Sequence, residues 1–178
     1  MNKLIVAAAL LVIPVVLSAQ TRRQGDLATR VAQLEDRAAL KALVDTFSIL
    51  ADQKDVQKQV LLFTEDATVE SRTGAAAPGA PLKGRKQIGD AFSAFLANFQ
   101  TVYHMNGQQA VTLAGDKATG TSYCLVVLIG TQGDKTFRQT MGVTYDDEYV
   151  RRGGAWLIAK RTSHFTWTDR AEVAAPPR

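Results

Sequence analysis

Four long β-type segments separated by short turns fill the second half of this sequence. The segments are Thr101–Leu113, Lys117–Gly130, Lys135–Val150 and Ala155–Thr168. Each gap between them contains glycine, the residue that most readily adopts turn conformations. Because such short connections force neighbouring strands to run in opposite directions, the pattern predicts an antiparallel meander.

The first half of the sequence is mainly helical in its pattern. Apolar residues recur at helical spacing over Leu27–Ala51, with an interruption expected near Leu34–Asp36, and again over Asp55–Phe63 and Gly84–Phe99. Between them, Ala67–Ser71 is predicted as a strand and Thr73–Pro81 as a loop. Helices followed by a meander indicate an α+β fold, with helices packed on one face of a curved sheet that can enclose a pocket.

The first twenty residues have the parts of a secretory signal peptide. Lys3 supplies a positive start, Leu4–Leu17 is apolar, and small or polar residues follow at Ser18, Ala19 and Gln20. The apolar run is shorter than a bilayer span, although an uncleaved anchor remains an alternative. We therefore predict a periplasmic or secreted protein without a stable membrane span after signal removal. The predicted divisions are a signal peptide (1–20), an N-terminal extension and helix start (21–33), the main domain (34–168) and a disordered tail (169–178).

Charge and cysteine content exclude several classes of function. The formal net charge of +4 is small, and its paired cations, such as Lys160–Arg161, are interpreted as solvated surface. The sequence contains no basic stripe, so nucleic-acid binding is not predicted. The single cysteine, Cys124, lies in an apolar segment and is predicted to be buried and unreactive.

Only two histidines are present, and they direct the search for a site. His104 lies on the first long strand, whereas His164 lies on the last and is expected at the surface or rim. Two distant histidines without a His-x-x-x-His pair predict no metal site. No glycine-rich phosphate loop is present, and no cofactor is predicted. Asp52 ends the first helix, where the helix dipole disfavours a carboxylate.

Several stretches, in their order and spacing, resemble the SnoaL-like domain family of the nuclear-transport-factor-2-like superfamily. They are ADQKDVQKQVLLFTEDATVES, LKGRKQIGDAF, TVYHMNGQQAVTLAGDKATGTSYC and YDDEYVRRGGAWLIAKR, and the resemblance covers Leu34 to Thr168. It implies a cone-shaped, curved antiparallel sheet with the N-terminal helices on its concave face. It also implies a homodimer formed through the sheet.

The resemblance to the scytalone-dehydratase-like branch implies a catalytic pair, Asp52 and His104. The second catalytic histidine of that branch has no counterpart, because Leu128-Ile129 occupies the matching region. The tyrosine that precedes the aspartate is replaced by Ala51. An aspartate within reach would orient His104 and raise its pKa. The predicted substrate-binding residues are Tyr123, Tyr145, Phe47 and Phe92.

These observations favour an exported small-molecule enzyme. The hypothesis is cofactor-free acid–base chemistry, either dehydration or isomerisation, on an apolar cyclic or polyketide-like substrate. A non-catalytic module of the same fold that binds a small apolar ligand or pairs with itself is the alternative. A purely structural envelope domain, with a filled interior and an apolar outer sheet face, is a third reading.

Overall fold

The computed structural model describes residues 13–74 and 79–174. Most of the predicted signal peptide (1–12), four residues of the predicted loop (75–78) and the last four of the predicted tail (175–178) lie outside the described residues. The described elements are α1 (Ile13–Asp52), α2 (Val56–Gln59), a 3-10 turn (Val60–Leu62), β1 (Phe63–Thr73), β2 (Leu82–Lys83), α3 (Gly84–Leu96), β3 (Thr101–Ala114), β4 (Lys117–Gln132), β5 (Lys135–Arg152) and β6 (Ala155–Val173).

Tight glycine turns produce the predicted meander. Two-residue loops join β3 to β4, β4 to β5 and β5 to β6, and their first residues, Gly115, Gly133 and Gly153, all have φ near +60°. A positive φ at the first loop position gives the turn the twist that antiparallel strands require, and glycine adopts it without steric cost. The four predicted strands therefore pair as consecutive hairpins.

The sheet has six strands in the order β2-β1-β6-β5-β4-β3, and it is curved and unclosed. The predicted α+β fold is confirmed. One pair departs from the antiparallel pattern, because β1 lies parallel to β6. These two strands are joined by no hairpin, so no tight turn dictates their relative direction.

Several predicted boundaries differ from the structure, most clearly those of the last and the first strand. The last strand does not stop at Thr168 but continues to Val173, and residues 169–173 pair with β5 in place of forming a tail. Strand β5, the hairpin partner of β6, is long enough to pair with this extension. The first strand is also longer than predicted and covers Phe63–Thr73.

The chain divides into two units, residues 1–38 and 39–178. The described part of the first unit is helical, without the interruption expected near Leu34–Asp36. Val31 and Leu34, predicted as part of an apolar face, are exposed there. Among residues 13–74 and 79–174, no helix is long and apolar enough to cross a membrane.

The core of the second unit lies between the helices and the inner face of the sheet. One cluster joins α1, α3 and the β1–β6–β5 side of the sheet, and includes Leu40, Phe47, Ile88 and Ile158. A second cluster on β4 and β5 includes Cys124. The cysteine is buried as predicted, and burial raises the pKa of its thiol to about 12. A neutral thiol is a poor nucleophile, in agreement with a packing role.

Two β-bulges in β6 decide which of its side chains face inward. Opposite Glu148 and Tyr149, β6 carries one extra residue, Ala159, because Tyr149 pairs with Ile158 and Glu148 with Lys160. A bulge of this kind reverses the in–out alternation beyond it. Arg161 is consequently buried, whereas the sequence placed it with Lys160 on the solvated surface.

Arg161 and Asp147 form a buried ion pair across the β5–β6 hairpin. Their side chains are 1% and 0% exposed. The guanidinium donates from Nε to Oδ1 (2.8 Å) and from Nη2 to Oδ2 (2.7 Å), and Tyr149 donates its hydroxyl to Oδ2 (2.8 Å). The neighbouring carboxylates of the same acidic run, Asp146 and Glu148, are exposed. Strand alternation instead turns this middle carboxylate inward, where it has three donors.

Replacing Asp147 with alanine is expected to lower the free energy of unfolding by about 3–5 kcal/mol, because it leaves the Arg161 charge buried without a partner. Urea unfolding followed by tryptophan fluorescence measures the change. Asp146→Ala is the control, since the neighbouring carboxylate is half-exposed and should cost no more than about 1 kcal/mol. Equal losses in the two variants would contradict the assignment of the buried pair.

Candidate active site

A fixed turn at the end of α1 positions Asp52. The amide of Lys54 donates to the carbonyl of Ala51 (3.0 Å), and the amide of Asp55 donates to that of Leu50 (2.9 Å). These two bonds, with Lys54 at φ 55°, are those of a Schellman motif. The side chain of Lys54 also donates to the carbonyl of Phe99. Asp52 thus lies in the last helical turn, where the dipole disfavours its charge unless a partner compensates.

His104 on β3 is that partner. Its ring Nδ1 lies 2.6 Å from Oδ1 of Asp52, and its backbone N–H donates to Oδ2 (3.2 Å). One carboxylate therefore holds both the ring and the backbone of the histidine. The side chains are 9% and 26% exposed, so the contact is largely shielded from water.

A second set of hydrogen bonds fixes β3 against α1 beside this pair. Asn106 donates to the carbonyl of Val44 (3.2 Å) and to Oδ1 of Asp45 (3.0 Å), and it accepts from the hydroxyl of Ser48 (3.0 Å). Asn106 lies two residues beyond His104 and on the same face of the strand. These bonds set the register between helix and strand and so maintain the Asp52–His104 distance.

The inner face of the sheet and the helices enclose a cavity of about 350 Å³. Its wall is mostly apolar and aromatic, with few polar groups. The lining includes His104, Arg161, Gln59, Phe47, Tyr145 and Leu128. A small-molecule site typically has this composition and size. An open cavity also argues against the filled interior expected of a purely structural domain.

Three of the four predicted substrate-binding residues, Phe47, Phe92 and Tyr145, line the cavity together with His104. Asp52 contacts the ring of His104 at Nδ1. The fourth predicted substrate-binding residue, Tyr123, is 54% exposed and does not line the cavity. It alternates with the inward-facing Cys124 on β4, so its ring lies on the outer face of the sheet.

The environment of His104 favours the neutral imidazole. Burial lowers its pKa below the ordinary value, and the positive charge of Arg161 acts in the same direction. The hydrogen bond and the charge of Asp52 oppose this shift, as predicted, but do not overcome it. When Nδ1–H donates to Asp52, Nε2 is left as an unprotonated acceptor for a ligand in the cavity.

Arg161 places a buried positive charge in the same wall. Its guanidinium carbon lies 4.2 Å from the ring centroid of Phe47 and 4.4 Å from that of Tyr145. Burial acts to lower the pKa of Arg161, but Asp147 with the two tyrosines raises it above its ordinary value, so the group stays charged. Asp147 occupies Nε and Nη2, whereas Nη1 has no hydrogen-bond partner. Sequence reasoning missed this residue because the bulge at Ala159 reverses the face of β6 toward which Arg161 points, and the sequence does not reveal the bulge.

The remaining histidine and the acidic residues form no second centre. Nε2 of His164 lies 3.0 Å from the half-exposed Asp146, in agreement with the predicted surface or rim position. Within the described ranges, 13–74 and 79–174, no group of three or more His, Cys, Asp or Glu side chains could hold a metal ion. Leu128, in the region that matches the second histidine of the scytalone-dehydratase-like branch, lies in the cavity wall.

Residues 32–162 match the model of the SnoaL-like domain family. A relative from Mycobacterium tuberculosis (strain H37Rv), described only as an uncharacterized protein, is 29% identical over 131 residues, which cover 74% of this chain and 86% of the relative. This relative extends the likeness along most of both chains and carries no information about activity.

Two solved structures share the fold. One, from Novosphingobium aromaticivorans, is provisionally identified as a scytalone dehydratase; the TM-score is 0.67 at 19% identity, covering 80% of this chain and 92% of that one. The other is the LinA-type3 hexachlorocyclohexane dehydrochlorinase of Novosphingobium barchaimii, with a TM-score of 0.67 at 19% identity, covering 83% and 99%. At these identities the likeness shows the fold and not the reaction.

The pKa of His104 should fall further when Asp52 is replaced by asparagine, because the carboxylate is the group that raises it. We expect a ring titration by NMR to give a value below 6.5 in the unmodified protein and a lower one in Asp52→Asn. His104→Gln assigns the signal. A His104 pKa that is the same in the unmodified protein and in Asp52→Asn would show that the two groups are not coupled.

Proposed function

The chain belongs to the SnoaL-like domain family, and from this membership and the Asp52–His104 contact we propose that it is a cofactor-free acid–base enzyme. The proposed reaction is dehydration or isomerisation of an apolar cyclic or polyketide-like carbonyl compound. The 2.6 Å contact between the two side chains is the observation that carries the proposal, because it orients a neutral imidazole toward the cavity.

In the first step, Nε2 of His104 takes a proton from a carbon next to the substrate carbonyl. The C–H bonding electrons form a C=C bond, the carbonyl π electrons move to the oxygen, and an enolate results. The imidazolium that forms is stabilised by Asp52, which accepts the Nδ1–H hydrogen bond. The low pKa of His104 keeps the base unprotonated at neutral pH.

Arg161 is the group suited to the enolate oxygen. Its Nη1 has no hydrogen-bond partner among the residues that the structure describes, and Asp147 fixes the guanidinium plane from the opposite edge. A donor that is positioned before the reaction stabilises developing negative charge without reorganisation. In this proposal Arg161, and not Tyr123 or Tyr145, binds the substrate oxygen. Burial raises the pKa of Tyr145, so its hydroxyl stays protonated.

The second step returns the proton. In dehydration, the enolate re-forms the carbonyl and expels a β-hydroxyl group, which leaves as water with the proton from the His104 imidazolium. In isomerisation, the imidazolium protonates a different carbon. Both routes restore the neutral histidine, so one histidine is sufficient where Leu128 stands in place of a second.

The names of two structural neighbours support elimination chemistry in this fold. One is provisionally a scytalone dehydratase and the other a hexachlorocyclohexane dehydrochlorinase. Loss of water and loss of hydrogen chloride both remove a proton and a leaving group from adjacent carbons. The apolar cavity of about 350 Å³ suits a cyclic substrate of modest size.

Base chemistry is tested by proton exchange, which needs no natural substrate. In D₂O, the protein should accelerate exchange of the protons next to the carbonyl of 1-tetralone or 1-indanone, followed by proton NMR. His104→Gln should slow exchange by at least about 100-fold, the lower range for a general base. The rate should rise with pH through the His104 pKa, below 6.5, and then level off, because only the neutral imidazole accepts a proton.

His164→Gln is the matched control for this experiment, since it removes the other histidine at a site outside the cavity lining. It should leave the exchange rate unchanged. Equal rates for the unmodified protein and His104→Gln would refute the catalytic role. Binding of both ketones without any acceleration would favour the alternative, a ligand-binding module, which the leucine at position 128 also supports.

Export is part of the proposal. Lys3, the apolar run Leu4–Leu17 and the small residues Ser18 and Ala19 support a signal peptide that is cleaved near Ala19 or Gln20. An exported chain with one buried cysteine depends on packing and on the buried ion pair for its stability.

Self-association through the outer sheet face is the remaining part of the proposal. Met105, Leu125, Gly142 and Trp167 pair in one row across β3, β4, β5 and β6. A second bulge, between Phe165 and Trp167, turns the indole outward over Gly142. Met105 and Trp167 are each about half-exposed. A contiguous apolar row of this kind is typical of an interface, and we propose a second copy of the chain as its partner.

One preparation tests both export and pairing. The full chain, produced with its own N-terminus in a Gram-negative host, should appear in the periplasm, and its mass should show cleavage near residue 20. Native mass spectrometry should then give a dimer that Met105→Glu converts to a monomer. Leu61→Glu is the control, because Leu61 is equally exposed but lies outside the sheet. An uncleaved, membrane-bound product would contradict export, and a monomeric unmodified protein would contradict pairing.

A further inference from the structure

A second side chain of the cavity wall carries a polar atom without a hydrogen-bond partner among residues 13–74 and 79–174, and the proposed reaction does not use it. Gln59 lines the cavity, is 1% exposed, and donates from Nε2 to the backbone carbonyl of Phe47 (3.1 Å). Its other terminal atom, Oε1, is buried without a hydrogen-bond donor. The carbonyl of Phe47 can accept only from the amide nitrogen, so this contact fixes which way the amide faces.

A buried acceptor without a donor destabilises a fold. Leucine or methionine at position 59 would fill the same space without this cost. Asp55 caps α2 and the backbone of Gln59 bonds to Asp55, so the short helix does not depend on the amide oxygen. A ligand that supplies a donor would remove the penalty, and this suggests why an amide is present.

Gln59 and Arg161 both contact Phe47, and they need opposite kinds of hydrogen-bonding partner. The amide of Gln59 bonds to the backbone of Phe47, and the guanidinium of Arg161 lies over its ring. Arg161 Nη1 offers hydrogen-bond donors, whereas Gln59 Oε1 offers an acceptor. A simple ketone satisfies only the arginine. A molecule with a carbonyl and a hydroxyl group satisfies both.

We propose that Gln59 is a specificity-determining residue whose Oε1 accepts a hydrogen bond from a hydroxyl group of the substrate. The substrate class is then a hydroxylated cyclic carbonyl compound, with its carbonyl oxygen at Arg161 and its hydroxyl at Gln59. This inference rests on the proposed function for the place of the carbonyl, but it concerns recognition and not proton transfer.

Binding of matched ketones tests the proposal. The probes are 1-tetralone and its 5-, 6- and 7-hydroxy derivatives, titrated calorimetrically into the full protein at neutral pH. At least one hydroxy isomer should bind about tenfold or more tightly than 1-tetralone, because it pairs the buried acceptor. In Gln59→Met this advantage should disappear, so that the four ketones bind with affinities within about twofold of one another.

Gln109→Met is the matched control. Gln109 also donates from Nε2 to a backbone carbonyl of α1, that of Leu40 (3.3 Å), but it does not line the cavity. The hydroxyl advantage should persist in this variant. If Gln59→Met does not fold, the side-chain amide resonances of Gln59 in the unmodified protein should shift with the preferred hydroxy isomer and not with 1-tetralone.

Two results would overturn the proposal. One is the absence of any preference for hydroxy isomers in the unmodified protein, which would mean that water alone satisfies Oε1. The other is a preference that persists in Gln59→Met. Because calorimetry reads binding alone, either result can occur while His104-dependent proton exchange is intact. Conversely, loss of the exchange activity would leave the binding comparison valid.

Discussion

The buried pair of Arg161 and Asp147 is the interaction on which the cavity depends. A guanidinium cannot remain charged in an apolar wall without compensation, and here one carboxylate and the faces of two rings supply it. The same arrangement uses Nε and Nη2 for structure and leaves Nη1 for a ligand. Its positive charge also helps to keep His104 neutral, so the pair influences the proposed base as well as the proposed oxygen-binding position.

His104 lies between two opposite charges with different consequences. Asp52 orients the ring and stabilises the imidazolium, whereas burial and Arg161 favour the neutral form. The balance between them requires fixed distances between the end of α1 and β3, which are 52 positions apart in the chain. The Schellman turn after Asp52 and the bonds of Asn106 provide that rigidity, so local backbone geometry supports the chemistry proposed for the pair.

The elements of the fold could be predicted from the sequence because the signals are local. Glycines at the hairpin turns and apolar spacing in the helices located nearly every element. Asp52 and His104 came instead from the family resemblance, since no spacing rule brings residues 52 positions apart together. Arg161 and Gln59 were missed for physical reasons. A bulge at Ala159 reverses the alternation of β6, and the burial of an amide in a short helix leaves no pattern.

The replacement of a second histidine by Leu128 limits what the proposed enzyme can do. With one imidazole as both base and acid, the proton must be taken and returned at Nε2. The carbon that loses the proton and the atom that receives it must then lie on the same side of the bound ring. Leu128 cannot donate a proton from the position of the second histidine, so we do not expect the proposed enzyme to catalyse reactions that need two separated imidazoles. Arg161 and Gln59 would hold the substrate in the orientation that this restriction demands.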